Sequence, residues 1–256
     1  MSEGDTRQAA LVTGGARRIG RAVALHLASE GWDIGVHYNN SEPEAVSLAV
    51  ELEEAGATCK LYRKDLTEVD DIEGLAEQFT SDFPAATTLI NSASIYAHDT
   101  LATLSVDNWN AHLTVNALAP ILLSREFTAR IAKQGCIINF LDQKVINVTP
   151  DFFSYTVSKG ALCDATQMLA MALGPRTRVN AIAPGLVLQS GEQTANEFQR
   201  AHSDTPLGIG PTLDEICQAI SFIASSPSMT AQVITIDGGR HLLREPPFND
   251  LPKTSI

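Results

Sequence analysis

Several things are scarce in this sequence, and each scarcity narrows what the chain can be. No apolar run is long enough to span a bilayer, and the first residues lack the charged-then-apolar pattern of an export signal. Four cysteines (Cys59, Cys136, Cys163 and Cys217) stand far apart without a Cys-x-x-Cys pair, as expected of buried thiols in a reducing cytoplasm. Six histidines form neither His-x-x-x-His nor His-Glu-x-x-His, so no metal site is expected. Basic charge is in deficit: the formal net charge of -12 argues against nucleic acid as the main partner. No Ser/Gly/Pro-rich linker divides the 256 residues. One domain is therefore expected over residues 1–243, followed by a Pro-rich tail at 244–256 too short to fold alone.

What is present is an alternation of short apolar runs and amphipathic stretches. Strands are expected at Ala9–Thr13, Asp33–Tyr38, Thr58–Tyr62, Thr87–Asn91, Cys136–Leu141, Arg178–Ala183 and Gln232–Ile236. Helices are expected near 18–30, 42–55, 68–82, 106–132, 152–173 and 212–225. This order specifies an α/β fold, a doubly wound (Rossmann) parallel sheet of about seven strands with helices on both faces. Ligands in such sheets bind beyond the carboxyl ends of the strands, and Gly14, Asn91, Asp142 and Pro184-Gly185 each follow a strand end. Residues 186–211 are polar and rich in Gly and Pro, which fits either a lid or a surface excursion.

The first strand runs into Thr13-Gly14-Gly15-Ala16-Arg17-Arg18-Ile19-Gly20 and then a helix ended by Gly31. Glycines at 14, 15 and 20 would permit positive φ angles and let backbone N–H groups approach a pyrophosphate at the helix N-terminus. The spacing is not Gly-x-Gly-x-x-Gly, so the turn could also be a plain strand-to-helix connection.

Tyr155 and Lys159, four residues apart, share one helix face at about 6 Å. A cation beside a Tyr favours the phenolate, and such a phenol can pass a proton near neutral pH. Asp142 lies thirteen positions upstream. The bland alternatives are a solvated Tyr–Lys pair and a turn aspartate after a strand.

Taken together, these motifs resemble the short-chain dehydrogenase/reductase family from about residue 7 to residue 243. The marks are the Gly turn at 13–20, Asp65, Asn91-Ser92-Ala93-Ser94, Asn116, Tyr155 with Lys159, Pro184-Gly185 and Asp237-Gly238-Gly239. Ordinary members have Ser where this chain has Asp142 and Gly where it has Arg18. Both departures resemble the pteridine reductases and related dihydrofolate- and dihydropterin-reducing proteins, which read Thr-Gly-x-x-x-Arg-x-Gly and use Asp with Tyr-x-x-x-Lys.

The resemblance implies a catalytic set of Asp142, Tyr155, Lys159 and Asn116, the last interrupting its helix to hold a water that leads to Lys159. It implies cofactor contacts at Gly14, Arg17, Arg18, Ile19, Gly20, Asn39, Asn40, Ser41, Asp65, Leu66, Asn91, Ser92, Ala93, Tyr155, Lys159, Pro184, Gly185 and Leu186. It also implies a substrate site of Arg18, Ser94, Tyr96, Asp142 and Tyr155, with Tyr96 stacking on a flat heterocycle. The family habit is a homotetramer.

The cofactor can be read from the second strand, which ends His37-Tyr38-Asn39-Asn40-Ser41 without the acid that would bind a ribose 2′-hydroxyl. Arg17 with neutral donors at Asn40 and Ser41 suits a 2′-phosphate, and the expected cofactor is NADPH. A carboxylate at position 142 cannot donate to a ketone oxygen unless protonated, whereas it can accept from a ring N–H and relay a proton. The expected activity is hydride transfer to a pterin- or dihydrofolate-like C=N. The alternatives are a carbonyl reductase of 3-oxoacyl or small-ketone type and a non-catalytic NADP-binding sensor or scaffold.

Overall fold

The computed structural model describes residues 7–191 and 193–243. Seven parallel strands form one sheet: β1 (Ala9–Thr13), β2 (Asp33–Tyr38), β3 (Cys59–Arg63), β4 (Ala86–Asn91), β5 (Gly135–Phe140), β6 (Thr177–Pro184) and β7 (Val233–Ile236). Their order is β3-β2-β1-β4-β5-β6-β7, so the winding reverses between β1 and β4. A crevice opens at that reversal, beyond the carboxyl ends of the strands. The seven-stranded doubly wound sheet is the one expected from the sequence.

Successive residues of a strand point to opposite faces, and the two cores follow that rule. Val12, Val36, Ile90, Ile138 and Ile182 pack under α1 (Arg18–Ser29), α2 (Glu42–Glu54) and α8 (Leu213–Ser225). Leu11, Leu89, Ile137 and Val179 pack under α3 (Val69–Asp82) and α5 (Ala119–Arg130), with Phe79 at the centre among Tyr62, Phe83 and Phe127. α1 buries Gly20, Val23, Ala24, Leu27 and Ala28, the i, i+3, i+4, i+7 stripe of a helix with one face on a sheet.

Two helical expectations need correction. The stretch expected as one helix over 106–132 is α4 (Val106–Leu113), a π-turn at Thr114–Leu118 and then α5. Pro120 has no N–H, so the i→i−4 bond to the carbonyl of Asn116 cannot form and the helix widens there. Within 186–211, where no helix was expected, α7 (Ala195–Ser203) is held at its start by a capping box between Thr194 and Glu197. The remaining helix, α6 (Phe153–Leu173), carries Tyr155 and Lys159. The expected tail at 244–256 lies outside the described residues.

Candidate active site

The turn after β1 is built differently from the sequence expectation. Only Gly14 of the three glycines has a positive φ, at +61°. A Cβ there would lie 2.9 Å from the Ala93 Cα, and one on Gly20 would collide with the carbonyl of Gly14. Gly20 is thus required for packing rather than for φ. The second left-handed residue of the turn is Arg18, at φ +54°, where the wider family has Gly. The N–H groups of Gly14 and Gly15 both donate to His37, to its Nδ1 at 3.1 Å and its carbonyl at 3.0 Å. They are therefore not the pyrophosphate donors. The α1 N-terminus itself has no side-chain cap and no acid in its first turn, unlike α7 and α8 with their capping boxes. Uncapped N–H groups on the positive end of a helix dipole, flanked by Arg17 and Arg18, fit a dinucleotide phosphate.

His37 is the fixing element. Its Nδ1 accepts from Gly14, so its Nε2 donates to the Lys64 carbonyl at 3.1 Å. Burial pushes its pKa down to about 4, so the ring is neutral. One imidazole thereby joins the ends of β1, β2 and β3.

At the end of β2, Asn39 and Asn40 are exposed and Ser41 makes no capping bond to α2. Arg17 pairs with Glu44 at 3.6 Å across a cleft of about 420 Å³ that Arg18 and Arg21 also line. Asp65 accepts from the N–H and hydroxyl of Thr67 and from Asn39, which hold its carboxyl below the usual range. The Leu66 side chain turns into the core and leaves only its backbone for a ligand.

The Asn91 side chain is also spent internally. It donates to Asn139 at 2.8 Å, which donates to Thr166. Ser92 and Ala93 give their N–H groups to the Thr13 hydroxyl, each at 3.0 Å, which seats this loop against the Gly turn. Across the crevice, the N–H of Gly185 donates to the Ile236 carbonyl, and Pro184 pairs with Ile236 in register. Leu186 is half-buried just beyond. The Arg18 guanidinium donates to the Gln189 carbonyl at 2.9 Å, linking the Gly turn to the segment after β6.

The proton-handling groups meet at the ends of β5 and α6. Tyr155 Oη donates to Asp142 Oδ2 at 3.0 Å, and Asp142 Oδ1 accepts from the Lys144 N–H at 2.9 Å. Lys159 is 2% exposed and donates to the Phe140 carbonyl at 2.8 Å. Burial lowers its pKa to about 8 against the opposing pull of Asp142. The expected lowering of the Tyr155 pKa by Lys159 is not what the protein alone does. Burial, and then the Asp142 charge and hydrogen bond, hold the phenol well above its usual range. The Lys159 ammonium is turned to a carbonyl, 5.7 Å from the centre of the Tyr155 ring, while the carboxylate touches the hydroxyl. Burial also raises Asp142, partly offset by the Lys144 N–H, Tyr155 and the charges of Lys159 and Lys144.

Asn116 sits in the π-turn with its amide fully engaged. It donates to the Ile95 carbonyl and the Ser158 hydroxyl and accepts from Ile95 N–H and Ser94. Its side chain organises the loop at 94–95 and is not free to hold the water expected to lead to Lys159.

Tyr96 stacks on Phe152 with ring centres 4.3 Å apart and stands edge-on to Tyr155 at 4.8 Å. It remains 47% exposed, so a flat ring has room beside it. Phe152, Lys144 and His37 were not singled out from the sequence. No local signal marks Phe152, but the left-handed φ of +50° just before α6 is a structural flag of a constrained position.

The family model described as Enoyl-(Acyl carrier protein) reductase matches residues 14–241. The chain is 30% identical over 236 residues to a dihydromonapterin reductase of Enterobacter sp., covering 91% of this chain and 96% of that one. It is 26% identical over 242 residues to a 3-oxoacyl-[acyl-carrier-protein] reductase of Staphylococcus aureus, covering 92% and 98%. Among solved structures, the FolM alternative dihydrofolate reductase 1 of Brucella canis, complexed with NADP, superposes with a TM-score of 0.90 at 37% identity over 94% of this chain and 97% of that one. With its doubly wound sheet and the Asp142–Tyr155 pair beside Lys159, the chain belongs to the short-chain dehydrogenase/reductase family of oxidoreductases, in its pteridine reductase-like subgroup.

Proposed function

We propose that this chain is an NADPH-dependent reductase acting on a pterin or dihydrofolate-like ring. One observation carries the reading: a buried carboxylate, Asp142, accepts the hydrogen bond of the proton-donating phenol where a ketone reductase needs a neutral donor. The names of the relatives support it, and the NADP held by the Brucella structures supports the cofactor.

In this reading the cofactor, when bound, supplies hydride to the carbon of a ring C=N. The α1 N-terminus with Arg17, Arg18 and Ile19 holds the phosphates, and Gly14 and Gly20 shape the turn. Asn39, Asn40 and Ser41 with Arg17 take the 2′-phosphate, and Asp65 and Leu66 border the adenine. Asn91, Ser92, Ala93, Pro184, Gly185 and Leu186 line the nicotinamide half, where Lys159 holds the ribose. Tyr96 stacks on the substrate, and Arg18 and Ser94 border it. Tyr155 delivers a proton to the ring nitrogen as the carbon gains hydride, and the phenolate left behind is reprotonated from solvent, with Asp142 relaying that proton and accepting from ring N–H groups. The 3-oxoacyl reductase remains the second reading because relatives of that name span the same residues.

The chain is further proposed to act in the cytoplasm as a homotetramer. No helix among the described residues is long and apolar enough to cross a membrane. Met168 and Met171 on α6, Phe222 on α8 and the open edge of β7 offer apolar contact area. A mass near four times 27.4 kDa by light scattering would support the tetramer.

The test of function is NADPH consumption with a dihydropterin by wild type, Tyr155→Phe and Lys159→Ala. Tyr155→Phe should abolish turnover and still bind NADPH, whereas Lys159→Ala should lose both. Near-normal turnover by the Phe variant would remove Tyr155 from its role.

A further inference from the structure

Tyr155 is the third residue of α6, in the first turn, where a helix frays most readily and where its N–H groups have no intrahelical partners. The residue at the cap position, Phe152, offers no side-chain acceptor. The missing acceptor comes from elsewhere in the fold. Asp99, 3% exposed, lies on the loop after β4 and accepts from the Ser154 N–H at 3.0 Å, from the Ser154 hydroxyl and from the Asn108 amide at 3.0 Å. Its backbone carbonyl accepts from the Phe153 N–H at 3.2 Å. Burial opposes the Asp99 charge, but the bonds from Ser154 and Asn108 outweigh it and hold the carboxyl below the usual carboxylate range.

The loop that supplies this carboxylate also carries Tyr96, and it is pinned at alternate residues. Ile95 is held by both ends of the Asn116 amide. The N–H of Ala97 donates to His112 Nε2 at 3.3 Å, and His112 Nδ1 donates to the Asn108 carbonyl at 2.8 Å. Asp99 is the third pin and ties the loop directly to the first turn of α6. Between the pins, the Tyr96 ring meets Phe152 and Tyr155.

We propose that Asp99 is a positioning residue: by capping α6 from the substrate side it sets the place of the Tyr155 phenol relative to Tyr96 and Asp142. This rests on Tyr155 being the proton donor, a role shared by the pterin and ketone readings. Lys159 sits one turn deeper and is fixed independently by the Phe140 carbonyl. Loosening the first turn therefore disturbs proton delivery and substrate stacking far more than cofactor binding.

The experiment compares wild type, Asp99→Ala, Asp99→Asn and Asn108→Ala for kcat, substrate KM, NADPH Kd and thermal midpoint. Turnover is measured with a dihydropterin and a 3-oxoacyl thioester, and amide exchange is followed over 153–165. Misplacement by about 1 Å can lower a rate about a hundredfold, so Asp99→Ala should lose at least about tenfold in kcat/KM. Its NADPH Kd should stay within about threefold, since Lys159 keeps its anchor. Asp99→Asn, which retains an acceptor for the Ser154 N–H, should recover most of the loss. Exchange should rise at 153–156 and not at 159–165. If Asp99→Ala does not fold, Asn108→Ala, which removes one of the bonds on the carboxylate, should show the same pattern more weakly.

Two results would overturn the proposal: unchanged kcat/KM and exchange in Asp99→Ala, or a parallel loss of turnover and NADPH affinity that Asn does not rescue. A wild type active only on the thioester would fail the pterin reading and leave this test intact. A wild type inert on both leaves it to be decided by exchange and NADPH Kd.

Discussion

Tyr155 Oη and Asp142 Oδ2 lie 3.0 Å apart, joined by one hydrogen bond in a pocket where burial raises the pKa of both groups. The phenol therefore keeps its proton in the protein alone, and it has one to give to a substrate nitrogen that gains electrons. Asp142→Ala should lower kcat/KM on a dihydropterin by about a hundredfold, the scale of one lost acid–base group. Steady-state kinetics at saturating NADPH check this, and a loss under threefold would place Asp142 among the turn residues.

In the proposed reading, cofactor choice depends on Arg17. A 2′-phosphate gains charge-assisted hydrogen bonds worth about 1.5–3 kcal/mol, so Arg17→Ala should weaken NADPH binding about ten- to over a hundredfold. NADH binding should barely change. Arg17 already pairs with Glu44 at the surface, and removing that competitor in Glu44→Gln should tighten NADPH by up to about fivefold. Titration of both cofactors against the three proteins measures this. Equal affinity of wild type for NADH and NADPH contradicts it.

Arg18 occupies a left-handed position that suits Gly, and its guanidinium reaches the Gln189 carbonyl. The two effects separate in a pair of variants. Arg18→Ala keeps the strained φ and loses the contact, whereas Arg18→Gly loses the contact and relieves the strain. The Gly variant should therefore be more stable than the Ala variant by about 1 kcal/mol, or about 2–4 °C in Tm. Both should show the same rise in substrate KM. Equal melting temperatures would mean that the Arg18 backbone carries no strain.

His37 gives the fold an acid sensitivity with a definite sign. Its folded pKa of about 4 lies below the ordinary value of 6.5, so the unfolded chain binds more protons between those values. Its contribution is fully present above pH 6.5 and is lost as pH falls toward 4, by about 3 kcal/mol in all. His37→Asn, which retains an acceptor near Gly14 N–H, should be less stable at pH 7 and should flatten this part of the curve. Urea unfolding at several pH values tests the slope, and a variant with the wild-type slope would assign it to other groups.

The sheet and its main helices were legible because their signals are local. The apolar strands are bounded by turns, and α1 shows its buried stripe in the primary sequence. α7 carried a readable Thr-x-x-Glu capping signature at Thr194 and Glu197, but its polar composition hid it. The break in the helix at 114–118 was legible in principle from Pro120, four residues after Asn116. Other features came from contacts between distant segments. His37 is buried by its place between β1 and β3, Asp99 gains its role from a helix more than fifty residues away, and Phe152 meets Tyr96 only in the folded chain. The Tyr155–Lys159 spacing correctly placed both on α6. It could not show that the ammonium would turn to Phe140 and leave the carboxylate as the phenol's nearest charge.

The most direct test of the pterin reading is to exchange the one side chain that separates the two substrate classes. The measurement is kcat/KM of wild type and Asp142→Ser, with NADPH, on a dihydropterin and on a 3-oxoacyl thioester. Wild type should turn over the dihydropterin, and Asp142→Ser should lose about a hundredfold on it, because a hydroxyl lacks the carboxylate's charge and relay capacity. A wild type inert on the dihydropterin, with Asp142→Ser gaining activity on the thioester through its restored donor, would contradict the account.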